Sequence, residues 1–238
     1  MNQNKQRSRL EAAPWADAGK AAARRHFIAL GLAFAASGAC AQAAKPAGHA
    51  PDHAPGPVLV LGDSLSAEYG LTRGKGWVVL LQQRMQAQKF KAHVVNASIS
   101  GETTAGGRSR LPGLLAKHQP SVVVIELGGN DALRGLALQS TQANLTAMVR
   151  AAQKAGAKVL LVGMQVPPNY GTAYTQQFAD MFRKVSQEEK APLVPFLLAG
   201  FGESLDTDQW FQSDRIHPSA KAQPRMLDNV WPALKALL

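Results

Sequence analysis

The sequence predicts an α/β domain built on a mostly parallel sheet, and three observations point there. The aliphatic runs Val58–Leu61 and Val122–Ile125 carry no polar residue at alternate positions, as expected of strands covered on both faces. Between such runs lie segments with apolar residues three and four apart, the spacing of helices packed by one face. Three of the four clear strands end in small and polar clusters: Gly62-Asp63-Ser64, Ser100-Gly101-Glu102 and Gly128-Gly129-Asn130-Asp131. Strands alternating with helices make parallel βαβ units, and ligands of such sheets collect at the carboxyl ends of the strands.

The chain begins with a polar stretch, residues 1–23. Arg24-Arg25 then precede an apolar segment from Phe27 to about Ala39, followed by the small residues Ser37 to Ala43. A positive flank, a short apolar core and an A-x-A site describe a secretory signal peptide, cleaved after Ala41 or after Ala43. Arg24-Arg25-His26-Phe27-Ile28 also resembles a twin-arginine signal, so either export route is open. Lipid anchoring at Cys40 is not expected, because Ser37 stands where lipoprotein signals usually carry leucine. The expected division is a leader over 1–43, a linker rich in Ala, Pro, Gly and His over 44–56, and one domain over 57–238.

Within that domain the first strand, Val58–Leu61, is bounded by Pro57 and Gly62. Trp77 to Gln88 follows as a helix with Trp77, Leu81 and Met85 in a stripe. His93–Asn96 is a short second strand, leading through Ala97–Thr104 to a helix start. Pro112 is expected to begin or restart a helical turn, since proline suits the first helical position; that helix ends near His118-Gln119-Pro120. Val122–Ile125 is the third strand. Ser140 or Thr141 is expected to cap the next helix, which reaches Lys154 and closes at Gly156. Lys158–Val162 is the fourth strand, ending toward Val166-Pro167-Pro168-Asn169-Tyr170. Tyr174, Phe178, Met181, Phe182 and Val185 share one helical face. Leu193-Val194 is a candidate fifth strand, and Ser219 to Leu238 a last helix with Trp231, Leu234 and Leu238 toward the core.

Composition narrows the function. Without its leader the chain keeps roughly 195 residues, enough for one sizeable core. The formal charge is +10, of which six basic and two acidic residues place +4 in residues 1–43, leaving +6 for the remainder. The basic residues of the domain are scattered with little aromatic interleaving, which does not fit a nucleic-acid groove but allows a mild attraction to anionic surfaces. At most a peripheral membrane contact is expected, because no later apolar run approaches the ~20 residues of a span. The lone cysteine, Cys40, falls in the leader, so the domain has neither disulfide nor thiol chemistry. No His/Cys/Glu cluster has ligand spacing, and neither a metal nor another cofactor is expected.

Each strand-end cluster has an ordinary explanation: Ser64 and Asp63 favour helix starts, glycines and Asn130 favour turns. Together on one edge, with Asp214-Arg215-Ile216-His217-Pro218 near the C-terminus, they suit nucleophilic catalysis. A serine hydroxyl needs a base, which His217 can supply near its ordinary pKa of about 6.5. The imidazole needs an acceptor, and Asp214 lies three residues before it on the same loop. A developing oxyanion needs placed donors: the backbone N–H of Ser64, that of Gly101 and the side-chain amide of Asn130. The serine is not framed as G-x-S-x-G, which excludes the α/β-hydrolase elbow.

Gly62-Asp63-Ser64-Leu65-Ser66, Gly101, Gly129-Asn130-Asp131 and Asp214-x-x-His217-Pro218 resemble, in order and approximate spacing, the four blocks of the SGNH, or GDSL-type, hydrolases. The stretches Val95–Gly101, Glu126–Asp131 and Pro168-Asn169-Tyr170-Gly171 are similar to the bacterial acyl-CoA thioesterase, lysophospholipase and arylesterase branch of that family. The resemblance spans about residues 57–237. It implies a flavodoxin-like three-layer α/β/α sandwich with a five-stranded sheet. It also implies Ser64 as nucleophile, His217 as base, Asp214 as its carboxylate, and Ser64, Gly101 and Asn130 as oxyanion donors. The expectation is therefore an exported monomer that hydrolyses fatty-acyl esters or thioesters, such as lysophospholipids, through an acyl-enzyme. Leu133, Pro168 and Tyr170, with Ala132, Leu136 and Pro167, are candidates for the acyl groove, although plain packing would account for them equally. An acetyl or carbohydrate esterase of the same fold and a non-catalytic surface-binding protein are the rivals.

Overall fold

The computed structural model of the protein describes residues 55–202 and 207–238. Five strands form one sheet in the order β2-β1-β3-β4-β5, every neighbouring pair parallel. The strands are β1 (Val58–Gly62), β2 (Val94–Asn96), β3 (Val122–Glu126), β4 (Lys158–Val162) and β5 (Leu193–Val194). β1 and β3 are buried at every position, which is why their sequences show no alternation.

The side chains of β1 nevertheless divide by parity. Val58 and Val60 join Val122, Val124, Leu160 and Val162 under helices α1 (Trp77–Ala87) and α7 (Gln223–Lys235). Leu59 and Leu61 face the other way, with Val123, Ile125 and Leu161, under α2 (Thr104–His118), α4 (Leu138–Lys154) and α5 (Thr172–Glu189). The sheet thus lies between two helical layers, each with its own apolar core. Trp77, Leu81 and Met85 are fully buried, as are Phe178, Phe182 and Val185. Tyr174, Trp231 and Leu238 pack only at the core's edge.

Four expectations need correction. α2 starts at Thr104, capped by the Thr103 side chain, and runs through Pro112 on its exposed side; the proline interrupts nothing that needs its missing N–H buried. α4 starts at Leu138 with no side-chain cap, and the Thr141 hydroxyl instead donates to Asp131. The stretch after Asn130 is a short helix, α3 (Gly129–Leu133), rather than a loop. Residues 219–222 are a turn before α7, and a further short helix, α6 (Thr207–Trp210), precedes it. The leader and nearly all of the linker lie outside the described residues.

With this order the chain leaves β1 toward β2 on one side and returns to β3 on the other. The carboxyl ends of β1 and β3 therefore flank a topological switch point, the place where open α/β sheets leave a crevice.

Candidate active site

Ser64 opens a run of turns directly after β1, half-buried at that switch point. The turn is held by Asp63, whose carbonyl accepts from Ser66 and Ala67 N–H (3.2 and 2.9 Å) and whose Oδ1 accepts from Leu65 N–H (3.0 Å). His217 comes from the far end of the chain on a small hairpin. Phe211 and Pro218 bridge antiparallel at its base, and Gln212 N–H donates to the His217 carbonyl at 2.8 Å. At its tip Arg215 takes a left-handed conformation (φ 57°), unusual for a side chain of that size. That turn lets Asp214 Oδ1 accept from the N–H groups of Ile216 and His217 (2.9 and 3.0 Å).

The three side chains form a line: His217 Nδ1 lies 2.7 Å from Asp214 Oδ2, and His217 Nε2 lies 2.9 Å from Ser64 Oγ. With the carboxylate fixing the Nδ1–H tautomer, Nε2 is free to accept the Ser64 proton. Burial alone would raise the Asp214 carboxyl; the backbone N–H of His217, its imidazole and the N–H of Ile216 outweigh it and bring the pKa to about 2. The carboxylate is therefore charged throughout the range in which an imidazole titrates.

The expected oxyanion donors stand on three adjacent strand ends. Ile99 N–H donates to the Gly62 carbonyl at 3.0 Å, which draws the β2 loop against the nucleophile turn. Gly101 follows with φ 77°, a conformation that favours glycine. Among the described residues neither the Ser64 nor the Gly101 N–H has a protein acceptor. Asn130, the second residue of α3, donates through Nδ2 to Asp63 Oδ2 at 3.0 Å, and Arg134 donates to the Gly101 carbonyl at 2.8 Å.

Of the expected groove residues, Leu133 (54% exposed), Leu136 and Tyr170 present their side chains to solvent on this edge. Ala132 does not: it is buried in the core beneath α4, because the helix α3 turns it inward. Pro168 opens the 3₁₀ turn Pro168–Tyr170, and Pro167 is exposed.

Three residues to which the sequence assigns no role also shape the site. Tyr69 lies over the imidazole, with ring centroids 4.3 Å apart. Gln212 donates to the Tyr69 carbonyl at 2.8 Å, joining the histidine hairpin to the serine turn. Glu126, the last residue of β3, lies fully buried with Oε2 2.7 Å from Ser66 Oγ. None carries a motif; only Glu126 gave a signal, as a charged residue closing an otherwise apolar strand.

A hydroxyl in line with an imidazole and a carboxylate, beside unpaired N–H donors at a sheet edge, defines a site of the serine-hydrolase class. Sequence comparison places it further. The chain belongs to the GDSL-like lipase/acylhydrolase family, whose model matches residues 60–224. It is 53% identical over 181 residues to an esterase TesA of Pseudomonas aeruginosa, covering 76% of this chain and 89% of that one. It is 41% identical over 181 residues to a thioesterase 1/protease 1/lysophospholipase L1 of Escherichia coli, covering 76% and 84%. A crystal structure of TesA superposes with a TM-score of 0.73 at 53% identity, over 76% of this chain and 99% of that one. The protein is an ester hydrolase on an SGNH-type α/β fold.

Proposed function

We propose that Ser64 is the nucleophile of an exported enzyme that hydrolyses fatty-acyl esters and thioesters through an acyl-enzyme. The observation that carries this reading is the line Ser64 Oγ–His217 Nε2–His217 Nδ1–Asp214 Oδ2, with steps of 2.9 and 2.7 Å across two hydrogen bonds. His217 Nε2 takes the Ser64 proton as Oγ attacks the acyl carbonyl carbon. The carbonyl oxygen, now an anion, receives N–H groups from Ser64, Gly101 and Asn130. Asp214 stabilises the imidazolium, which returns its proton to the departing alkoxide or thiolate as the ester or thioester bond breaks. Water, deprotonated by the same imidazole, then releases the fatty acid.

The choice of fatty-acyl over acetyl substrates rests on the edge around Ser64. The exposed large hydrophobic residues of the described chain are Tyr69, Ile99, Leu133, Leu136, Tyr170 and Ile216, and all stand in connections that follow the carboxyl ends of the strands, Leu133 closing α3 and Tyr170 closing a 3₁₀ turn. An acetyl group gives such a surface nothing to cover. Lysophospholipids, aryl esters and acyl thioesters each offer an apolar chain or ring that does. The relatives named esterase and thioesterase 1/lysophospholipase L1 support the same substrate range. The Arg24-Arg25 leader supports export to the periplasm or beyond, and mass spectrometry of the exported N-terminus tests both route and cleavage site.

The test is Ser64→Ala on a panel of p-nitrophenyl esters of increasing chain length. The variant is expected to lose about 10⁶-fold in kcat. Unchanged hydrolysis by the purified variant refutes the nucleophile; activity confined to the acetyl ester refutes the substrate class.

A further inference from the structure

The mechanism above leaves three buried carboxyl groups unused, Asp63, Glu126 and Asp131, and the first two meet beneath the nucleophile. Asp63 is 3% exposed and Glu126 1% exposed, and among the described residues neither has a lysine or arginine partner. They meet where β1 and β3 end, since Gly62 pairs with Glu126 across the sheet. Gly62 makes the room: a Cβ there would lie 2.8 Å from Glu126 Oε2 and 2.8 Å from Ser66 Oγ. Glu126 thus occupies the floor directly beneath the nucleophile turn.

We propose that Glu126 keeps its proton while Asp63 carries the charge, and that this pair holds the Asn130 amide with its N–H groups toward the oxyanion. The proposal rests on the reading of Asn130 as an oxyanion donor. Asp63 and Glu126 are positioning residues in it, touching no reacting atom.

The distribution of donors decides which group holds the proton. Asp63 accepts two N–H bonds of ordinary length, from Leu65 and from Asn130 Nδ2, both at 3.0 Å. Glu126 has one short partner, the Ser66 hydroxyl at 2.7 Å, which can accept as readily as donate, and one long contact to Asp63 N–H at 3.4 Å. Two buried carboxylates without a cation cannot both ionise cheaply, so one stays neutral, and it is the one with fewer donors. Glu126 then donates its proton to Ser66 Oγ. The titration directions agree. Burial lifts Glu126 well above the ordinary range, with Asp63 adding to the effect. Burial lifts Asp63 only to about 6, opposed by Leu65, Asn130 and the charge of His217.

A charged Asp63 has a geometric consequence. A planar amide carries two N–H bonds on one nitrogen and a carbonyl oxygen on the other side. With Asp63 Oδ2 accepting one N–H, the second has no other partner among the described residues and is left for substrate. Rotating the amide by half a turn would set its oxygen against the Asp63 carboxylate, two acceptors with no proton between them. The charge therefore selects the donor face of Asn130.

A double-mutant cycle tests this. Asp63→Asn is expected to lower kcat by about ten- to a hundredfold with KM nearly unchanged, because the donor is misplaced rather than removed. In an Asn130→Ala background the same substitution should cost no more than about twofold, the usual limit of additivity. Glu126→Gln, which preserves a neutral donor, should rescue the activity that Glu126→Ala loses. Infrared spectroscopy of the folded wild type near neutral pH should show a protonated carboxyl band that Glu126→Gln removes and Asp63→Asn retains. An equal cost of Asp63→Asn with and without Asn130 overturns the positioning role. Absence of the band overturns the proton assignment, whether or not any variant folds. Neither measurement depends on Ser64→Ala, so failure of the nucleophile reading is separately visible.

Discussion

Asp63 keeps its proton up to about pH 6, whereas an unperturbed aspartate loses it at 3.8. The cause is burial of the carboxyl, only partly offset by the Leu65 N–H, the Asn130 amide and the charge of His217. The folded state consequently binds more protons than the unfolded chain between those two values, so stability falls as pH rises through that window and levels off above it. The difference corresponds to about 3 kcal/mol. Asp63→Asn removes the titration, so its unfolding free energy relative to wild type should improve by about 3 kcal/mol between about pH 4 and about pH 7. Chemical denaturation at the two pH values checks this, and a difference that does not change with pH would show Asp63 titrating like a free aspartate. Asp214 has the opposite sign: its pKa is depressed, so its contribution is present above the ordinary aspartate range and fades as pH falls toward 2. At this scale the sequence was informative where chemistry demands a residue type. Ser64, Gly101, Asn130, Asp214 and His217 stood out because each breaks the apolar pattern at a strand end or loop. Tyr69 and Gln212 were silent, and Glu126 showed only as a charge closing an apolar strand, because their roles come from distances across the fold, and no local spacing encodes those.

Three helices meet at the side chain of Asp131. It accepts from the Thr104 N–H at 2.8 Å and the Thr104 hydroxyl at the start of α2, and from Thr141 Oγ1 at 3.2 Å in α4, while itself belonging to α3. Asn144 adds a bond to Thr104 Oγ1 at 3.1 Å. Asp131 is buried without a cationic partner among the described residues, and the N-terminus of the fifteen-residue α2 supplies the compensating positive field. This carboxylate ties the elements that carry Asn130 and follow Gly101. Asp131→Ala orphans several buried donors at about 1–3 kcal/mol each, and should lower stability by about 3 kcal/mol or more in urea titration. Asp131→Asn, which keeps one acceptor, should lose less; equal losses would show that the bonds carry no stability. The same network explains which helix boundaries the sequence misplaced. Thr141 has the chemistry of a cap, but its hydroxyl is engaged by Asp131, and α4 begins three residues earlier. Pro112 reads as a start because it lacks an N–H, yet it sits exposed inside α2, where water can satisfy the carbonyl left free. The strands were legible almost to the residue: in β1 and β3 uniform burial leaves uniform apolarity, and β4 and β5 have the bounds expected of them.

Seen across the whole molecule, the exposed apolar side chains are distributed unevenly. Tyr69, Ile99, Leu133, Leu136, Tyr170 and Ile216 are all at least a third exposed, in the connections that follow β1, β2, β3 and β4 and on the hairpin that carries His217. The turns at the opposite end of the sheet, 88–93, 119–121, 155–157 and 190–192, carry no exposed large hydrophobic residue. A surface selected only for solubility would scatter such residues, and their gathering at one edge marks a place where something apolar is covered. Leu133 follows Asn130 by three residues after β3, and Tyr170, after β4, stacks on Tyr174 at the mouth of α5, so an acyl chain carried on Ser64 Oγ and directed to that side of the edge would run between them. Each such side chain covered by an acyl chain contributes on the order of 1 kcal/mol. A Leu133→Ser, Tyr170→Ser double variant should therefore lower kcat/KM for a long-chain p-nitrophenyl ester by about thirtyfold. The acetyl ester, too short to reach either residue, should be hydrolysed at the wild-type rate by the same preparation, which also controls for folding and for the integrity of the Ser64–His217 pair. If both esters slow equally, the two residues act on the chemistry or the fold rather than on the chain. If neither slows, the acyl group leaves the site in another direction, and Ile99 and Ile216, on the other side of Ser64, become the residues to change.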